Sequence, residues 1–204
     1  MTADRYDAPE PTPALGSVVE QGRGSLPFTL IHGEALVACA SWALGDAGVT
    51  PVDLGTEWAG LVASGEPFVL HDALCPMLPA SFIAACVATA VERDVVVVGC
   101  RPVTDTVKTV ADGLVGETVD RASLVAVASP VVLPASVVAA LPGLPSLDFA
   151  SLVAALRERF PVELVEAPPE GRRVSSVEDV RLLEALTVGT TPRGAPRGPR
   201  PRER

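Results

Sequence analysis

The sequence predicts an α/β fold built around a mostly parallel sheet. Apolar runs alternate with helical patterns along most of the chain, as successive strand–helix units do. The run VVVVGC at 95–100 is β-branched over its first four positions, as expected of a strand covered on both faces. Apolar residues make up 48% of the 204 and the mean hydropathy is +0.36, enough for a large core. With aromatics at 4%, that core must be made of valine, leucine and alanine.

Taken in order, residues 1–15 read as a flexible, proline-rich arm, 16–188 as the α/β domain and 189–204 as a disordered Arg/Pro/Gly tail. Within the domain, 34–49 has a helical pattern closed by Gly48. TEWAGLVASG at 56–65 is a second, short helix, and PFVLHDA at 67–73 begins as a buried strand. Residues 81–94 form a helix, with Pro79 shortly before it. A strand at 123–131 is followed by helices at 133–141 and 148–160 and a strand at 162–167. A last helix spans 175–187, opened by Ser175 and Glu178 at capping-box spacing.

Between Cys100 and Ser123 the pattern changes. RPVTDTVKTVADGLVGETVDRA alternates β-branched and polar residues around Asp112-Gly113, which predicts a hairpin. A long polar hairpin between two sheet strands leaves the sheet, and such arms often pack on a second subunit. Lys108, the only lysine of the chain, lies on it.

Several classes are excluded. No apolar run approaches the roughly 20 residues of a membrane span, and the N-terminus lacks the basic and apolar regions of a secretory signal. Cys39, Cys75, Cys86 and Cys100 form no C-x-x-C pair, so reduced thiols in a cytoplasmic protein are expected. The net charge is −9, although 189–204 holds five arginines and one glutamate. The acidic body repels nucleic acid. The tail is expected to be a solvated end, with contact to RNA or an acidic partner as the weaker alternative.

Five stretches in order carry a resemblance: HDALCP, PVTDTVKTV, ETVDRASLVAVASP, LDFASLVAAL and GRRVSSVEDVRLLEA, all within 67–187. Together they resemble the 2-C-methyl-D-erythritol 4-phosphate cytidylyltransferases of the non-mevalonate isoprenoid pathway. The resemblance implies a Rossmann-like nucleotidyltransferase fold and a homodimer whose arms, here 101–122, reach the partner's site. It also implies transfer of CMP from CTP to a phosphorylated alcohol, with Mg²⁺. Asp72 matches the metal-holding aspartate. Thr106, Lys108, Arg121 and Arg173 stand at substrate-phosphate positions. Gly22, Arg23, Gly24 and Ser129 stand on the nucleotide side.

Departures from the family pattern fall mostly on that nucleotide side. Phe28 replaces a phosphate-stabilising lysine, Cys75 an arginine and Val131 a glutamine, and the loop that reads the base has no counterpart between Val49 and Phe68. Two readings follow. One is a working cytidylyltransferase. The other is a catalytically degenerate homologue that binds a phosphorylated alcohol or pairs with an active relative.

Overall fold

The computed structural model of the chain describes residues 12–189. In chain order the strands are β1 (Ala14–Val19), β2 (Leu30–Ile31), β3 (Glu34–Ala35), β4 (Val49–Pro51), β5 (Phe68–Asp72), β6 (Val96–Pro102), β7 (Val107–Ala111), β8 (Leu114–Val119), β9 (Val125–Leu133) and β10 (Val162–Glu166). The helices are α1 (Leu36–Asp46), α2 (Trp58–Ser64), α3 (Ala80–Arg93), α4 (Ala135–Ala140), α5 (Phe149–Arg157) and α6 (Val177–Leu186).

Six strands form the central sheet in the order β10-β6-β9-β5-β1-β4. Pairing is parallel except at β9, which runs antiparallel to both β5 and β6. Alternation along each strand sends side chains to two faces. Phe68, Leu70, Val96, Val98, Val131 and Leu133 meet α2, α4 and α5. Val69, Val97 and Val132 meet α1 and α3. A third cluster, at the end of the sheet, joins Leu74 and Met77 to α6 and to the N-terminal part of α1. No helix among the described residues is long and apolar enough to cross a membrane.

The predicted arm is present. Asp112 and Gly113 both have positive φ, 50° and 75°, and form the two-residue loop between β7 and β8. The hairpin pairs with no other strand among the described residues. Its register shifts between Lys108 and Val110. The extra residue lies on β8, and alternation along β7 puts Val110 and its partner Val115 on the face of Lys108 and Thr118, opposite Val107 and Val119.

Several expectations need correction. Residues 14 and 15 belong to β1, not to a flexible arm; residues 1–11 and the 190–204 part of the tail lie outside the described residues. Gly16 and Ser17 hid this strand. A Cβ on Gly16 would come within 2.6 Å of Val49 and 3.0 Å of the Val69 carbonyl, so the close packing between β4 and β5 requires the glycine that obscures the pattern. Helix α1 starts at Leu36, because Glu34 and Ala35 pair with Leu30 and Ile31. Strand β9 starts at Val125, after a short turn over Arg121–Ser123. At α6 the cap lies one residue later than expected. Ser176 accepts from Asp179 N, and Asp179 accepts from the Ser175 hydroxyl and amide. Asp179, not Glu178, closes the box.

Gly99 in β6 fixes the distance to β9, since a Cβ there would overlap the Ser129 carbonyl. Gly99→Ala is expected to cost about 1–3 kcal/mol through overpacking, read as a lower urea midpoint with unchanged slope.

Candidate active site

Strands β1 and β5 run side by side in parallel, with Val19 opposite Asp72. The chain leaves β1 for β4 on one side and returns to β5 on the other. Ligands in such sheets bind beyond the carboxyl ends where the order reverses. Two functional groups project there: Asp72, the last residue of β5, and Arg23, in the loop after β1. Gly22 and Gly24 on either side of Arg23 have φ of 74° and 62°, and an added Cβ would meet nothing within 4 Å. They therefore serve the backbone shape of the loop rather than a close approach.

Asp72 is 1% exposed. Its Oδ1 accepts from Arg23 Nε at 3.2 Å and from Leu74 N at 3.0 Å, and its Oδ2 accepts from Arg173 Nε at 3.0 Å. Arg23 is held on every guanidinium nitrogen: the other two donate to the carbonyls of Leu147, at 3.0 Å, and Gln21, at 3.4 Å. Its guanidinium also lies 5.9 Å from the Phe149 ring, within cation–π reach. Arg173 is half free. Its side chain is 39% exposed, and its terminal nitrogens donate to no acceptor among the described residues.

Arg23, Asp72, Asp148, Phe149 and Arg173 line a cavity of about 180 Å³. That is smaller than the roughly 300 Å³ at which whole-ligand pockets begin and suits one charged group of a ligand. A larger open groove of about 640 Å³ lies over Phe82, Arg101 and Glu166. Arg101 there donates to the Ala167 carbonyl at 2.6 Å and sits 3.7 Å from Glu166, so its charge is already spoken for. The smaller cavity gathers the charged groups matched from the sequence, Arg23, Asp72 and Arg173. Asp148 caps α5 by accepting from Ser151 N at 2.9 Å. That bond, with help from Arg23 and Arg173, holds its carboxyl below the usual carboxylate range.

Beneath Asp72 lies a buried relay. Ser129 Oγ accepts from Asp72 N at 3.1 Å and lies 2.6 Å from His71 Nδ1. Giving its proton to Nδ1 uses the hydroxyl both ways and assigns His71 the Nε2–H tautomer. Burial lowers the His71 pKa to about 4, with Asp72 opposing, so the ring is neutral. Its Nε2 has no partner among the described residues.

The residues expected from the sequence thus divide. Asp72, Arg23 and Arg173 come together. Ser129 lies beneath them, fully buried, and its hydroxyl positions Asp72 rather than facing the cavity. Thr106, Lys108 and Arg121 stay on the exposed arm. There Lys108 Nζ donates to Thr118 Oγ1 at 2.5 Å and Arg121 donates to the Thr104 carbonyl at 2.7 Å. Phe28 is 62% exposed and Cys75 fully buried. Burial, with the Asp72 charge next, pushes the Cys75 thiol far up, which removes it as a nucleophile. Asp148, Phe149 and His71 lie within the quoted stretches, but nothing in their type or spacing marks them as site residues.

The profile of the 2-C-methyl-D-erythritol 4-phosphate cytidylyltransferase family (IspD) matches residues 55–187, well over half of the chain. The chain belongs to this family. The Nocardia farcinica enzyme of that name is 37% identical over 133 residues, which cover 63% of this chain and 57% of the relative. The chain thus aligns with little more than half of that protein. Solved structures agree on the fold. The Thermus thermophilus cytidylyltransferase superposes with a TM-score of 0.62 at 21% identity, over 85% of this chain and 98% of its own. The 4-diphosphocytidyl-2C-methyl-D-erythritol synthase of Anaerococcus prevotii reaches 0.64 at 13% identity, over 87% and 96%. The family match takes in Asp72, the arm residues, Ser129 and Arg173. It begins after Gly22, Arg23 and Gly24.

The magnesium implied by the family can be set against these residues. Three of the four lone-pair positions of Asp72 are taken, and two of the three donors are cations. The donor set as arranged does not fit a divalent ion on Asp72.

The state of His71 has a measurable consequence. The unfolded chain takes up a proton there near pH 6.5, the folded chain only near 4. The site therefore favours folding above pH 6.5 and withdraws that support as the pH falls toward 4. The urea midpoint of His71→Gln should fall less steeply across this window than that of the unaltered protein.

Proposed function

We propose that this chain transfers CMP from CTP to 2-C-methyl-D-erythritol 4-phosphate. The guanidinium pair at the carboxyl ends of β1 and β5 is the observation that supports this most. A phosphate oxygen of the alcohol attacks the α-phosphorus of CTP, forming one P–O bond while the bond to the departing pyrophosphate breaks. Two anions must meet, and negative charge gathers on the non-bridging oxygens. The work left to the protein is positioning and cationic stabilisation. Arg173 has terminal N–H groups free to grip a phosphoryl group in a two-pronged manner, while Arg23 is fixed in advance.

The arm is proposed to complete the site from a second copy of the chain. A lone two-stranded hairpin is marginal in water. This one shows solvent a face bearing Val110 and Val115, 67% and 72% exposed, beside Lys108. Covering that face would bring Thr106, Lys108 and Arg121 to a neighbouring subunit. Val115→Asp should therefore convert a dimer to monomers in sedimentation velocity, leaving the helical circular-dichroism signal unchanged.

Activity is tested by pyrophosphate release from CTP and methylerythritol phosphate. Arg173→Ala should lower turnover about 10²–10³-fold, the usual loss for one preorganised donor. Phe28, exposed and uncharged, favours the second reading, a homologue that binds the alcohol phosphate without turning CTP over. Binding of methylerythritol phosphate by calorimetry with no pyrophosphate release would decide for that reading.

A further inference from the structure

Two guanidinium groups pair with one carboxylate, Asp72, at a cavity whose wall also carries Asp148, and charge counting limits what else Asp72 can hold. An ion bound about 2.0–2.1 Å from a carboxylate oxygen, as magnesium is, would sit within about 5 Å of Arg173 Nε when placed on Oδ2, given the 3.0 Å pair. Arg23 would press from the other oxygen, 3.2 Å away. Even with Asp148 in the wall, two negative charges would then face a dication and two guanidinium ions.

The two arginines are held unequally. Arg23 has three protein acceptors besides the Phe149 ring, and its side chain is 8% exposed. Arg173 has Asp72 alone among its acceptors in the described residues and opens to the cavity. An incoming oxyanion can therefore take over Arg173 without dismantling the loop around Arg23.

We propose that Asp72 is the resident counter-anion of a guanidinium clamp: it holds Arg23 and Arg173 at the cavity and cedes Arg173 to an incoming phosphoryl group, with no divalent ion seated on its carboxylate. This rests on the phosphate-binding role given to the cavity above. Asp72 is thus a positioning residue and also a competitor. It orients the cations when the cavity is empty and opposes the anion that enters.

The test uses the full chain with inorganic phosphate and Mn²⁺ as probes. Phosphate affinity, by calorimetry, should be the same in EDTA and in magnesium. Asp72→Asn removes the competing charge and should tighten phosphate by at least about tenfold, since a near unit charge is worth more than that at the effective dielectric of a partly buried site. Arg173→Ala should lose most phosphate affinity. It should also gain Mn²⁺ binding in electron paramagnetic resonance, because Oδ2 is released. One Mn²⁺ bound by the unaltered protein and lost in Asp72→Asn would overturn the proposal, as would weaker phosphate binding in a folded Asp72→Asn. If Asp72→Asn does not fold, the Arg173→Ala arm decides alone: unchanged Mn²⁺ binding there overturns it. Failure of the functional reading looks different. The phosphate results would stand, but methylerythritol phosphate would bind no more tightly than inorganic phosphate.

Discussion

The buried carboxylate of Asp72 is the constraint on which the site depends. A charge at 1% exposure persists only if it is paired and hydrogen-bonded, and here three separate parts of the chain satisfy it. The loop after β1 supplies Arg23, the segment before α6 supplies Arg173, and the turn after β5 supplies Leu74 N. Removing one partner of such a buried pair typically costs about 3–5 kcal/mol, with less expected at the half-exposed Arg173. The ion group therefore ties the ends of the domain to its central strand as well as shaping a cavity. The Arg23 bond to the Leu147 carbonyl extends the same tie to the start of α5.

Below the carboxylate, the sheet fixes the backbone that carries it. The one antiparallel strand, β9, brings Ser129 against His71 and Asp72 from the side opposite β1. Gly99 on the far side of β9 allows the close approach. The lone reversed strand in an otherwise parallel sheet is thus placed where a hydroxyl can pin the residue beneath the site. A neutral imidazole completes the relay without adding a buried charge.

Much of this was legible in the sequence, for physical reasons. Continuous apolar strands, Gly48 ending α1 and Asp112-Gly113 turning the arm are local signals, and each keeps its meaning wherever the fold puts it. Strand β1 was not legible, because Gly16 and Ser17 answer to neighbours far away in sequence. The cap of α6 was displaced because Ser175, Ser176, Glu178 and Asp179 offer two overlapping boxes, and only the tertiary path selects one. At the site, residue types at motif positions identified Asp72, Arg23 and Arg173. What no spacing could convey is that the three meet on one carboxylate, or that Ser129 faces inward.

The division of charge between body and arm explains why the remaining cations matter. The cavity wall carries two arginines and two carboxylates, Asp72 and Asp148, so it is close to neutral before any ligand arrives. A phosphoryl group bearing two negative charges cannot be neutralised there, even if Arg173 turns to it, because Arg23 stays committed to its protein acceptors. The chain's other cations in matched positions are Lys108 and Arg121, and both stand on a hairpin whose valine face lacks a partner among the described residues of the subunit. Phe28 brings no charge of its own to the cavity, which raises the demand on the arm. On the proposed assembly, a single subunit therefore holds the shape of the site but not its full charge, and substrate affinity should depend on protein concentration through the same equilibrium that buries the valines.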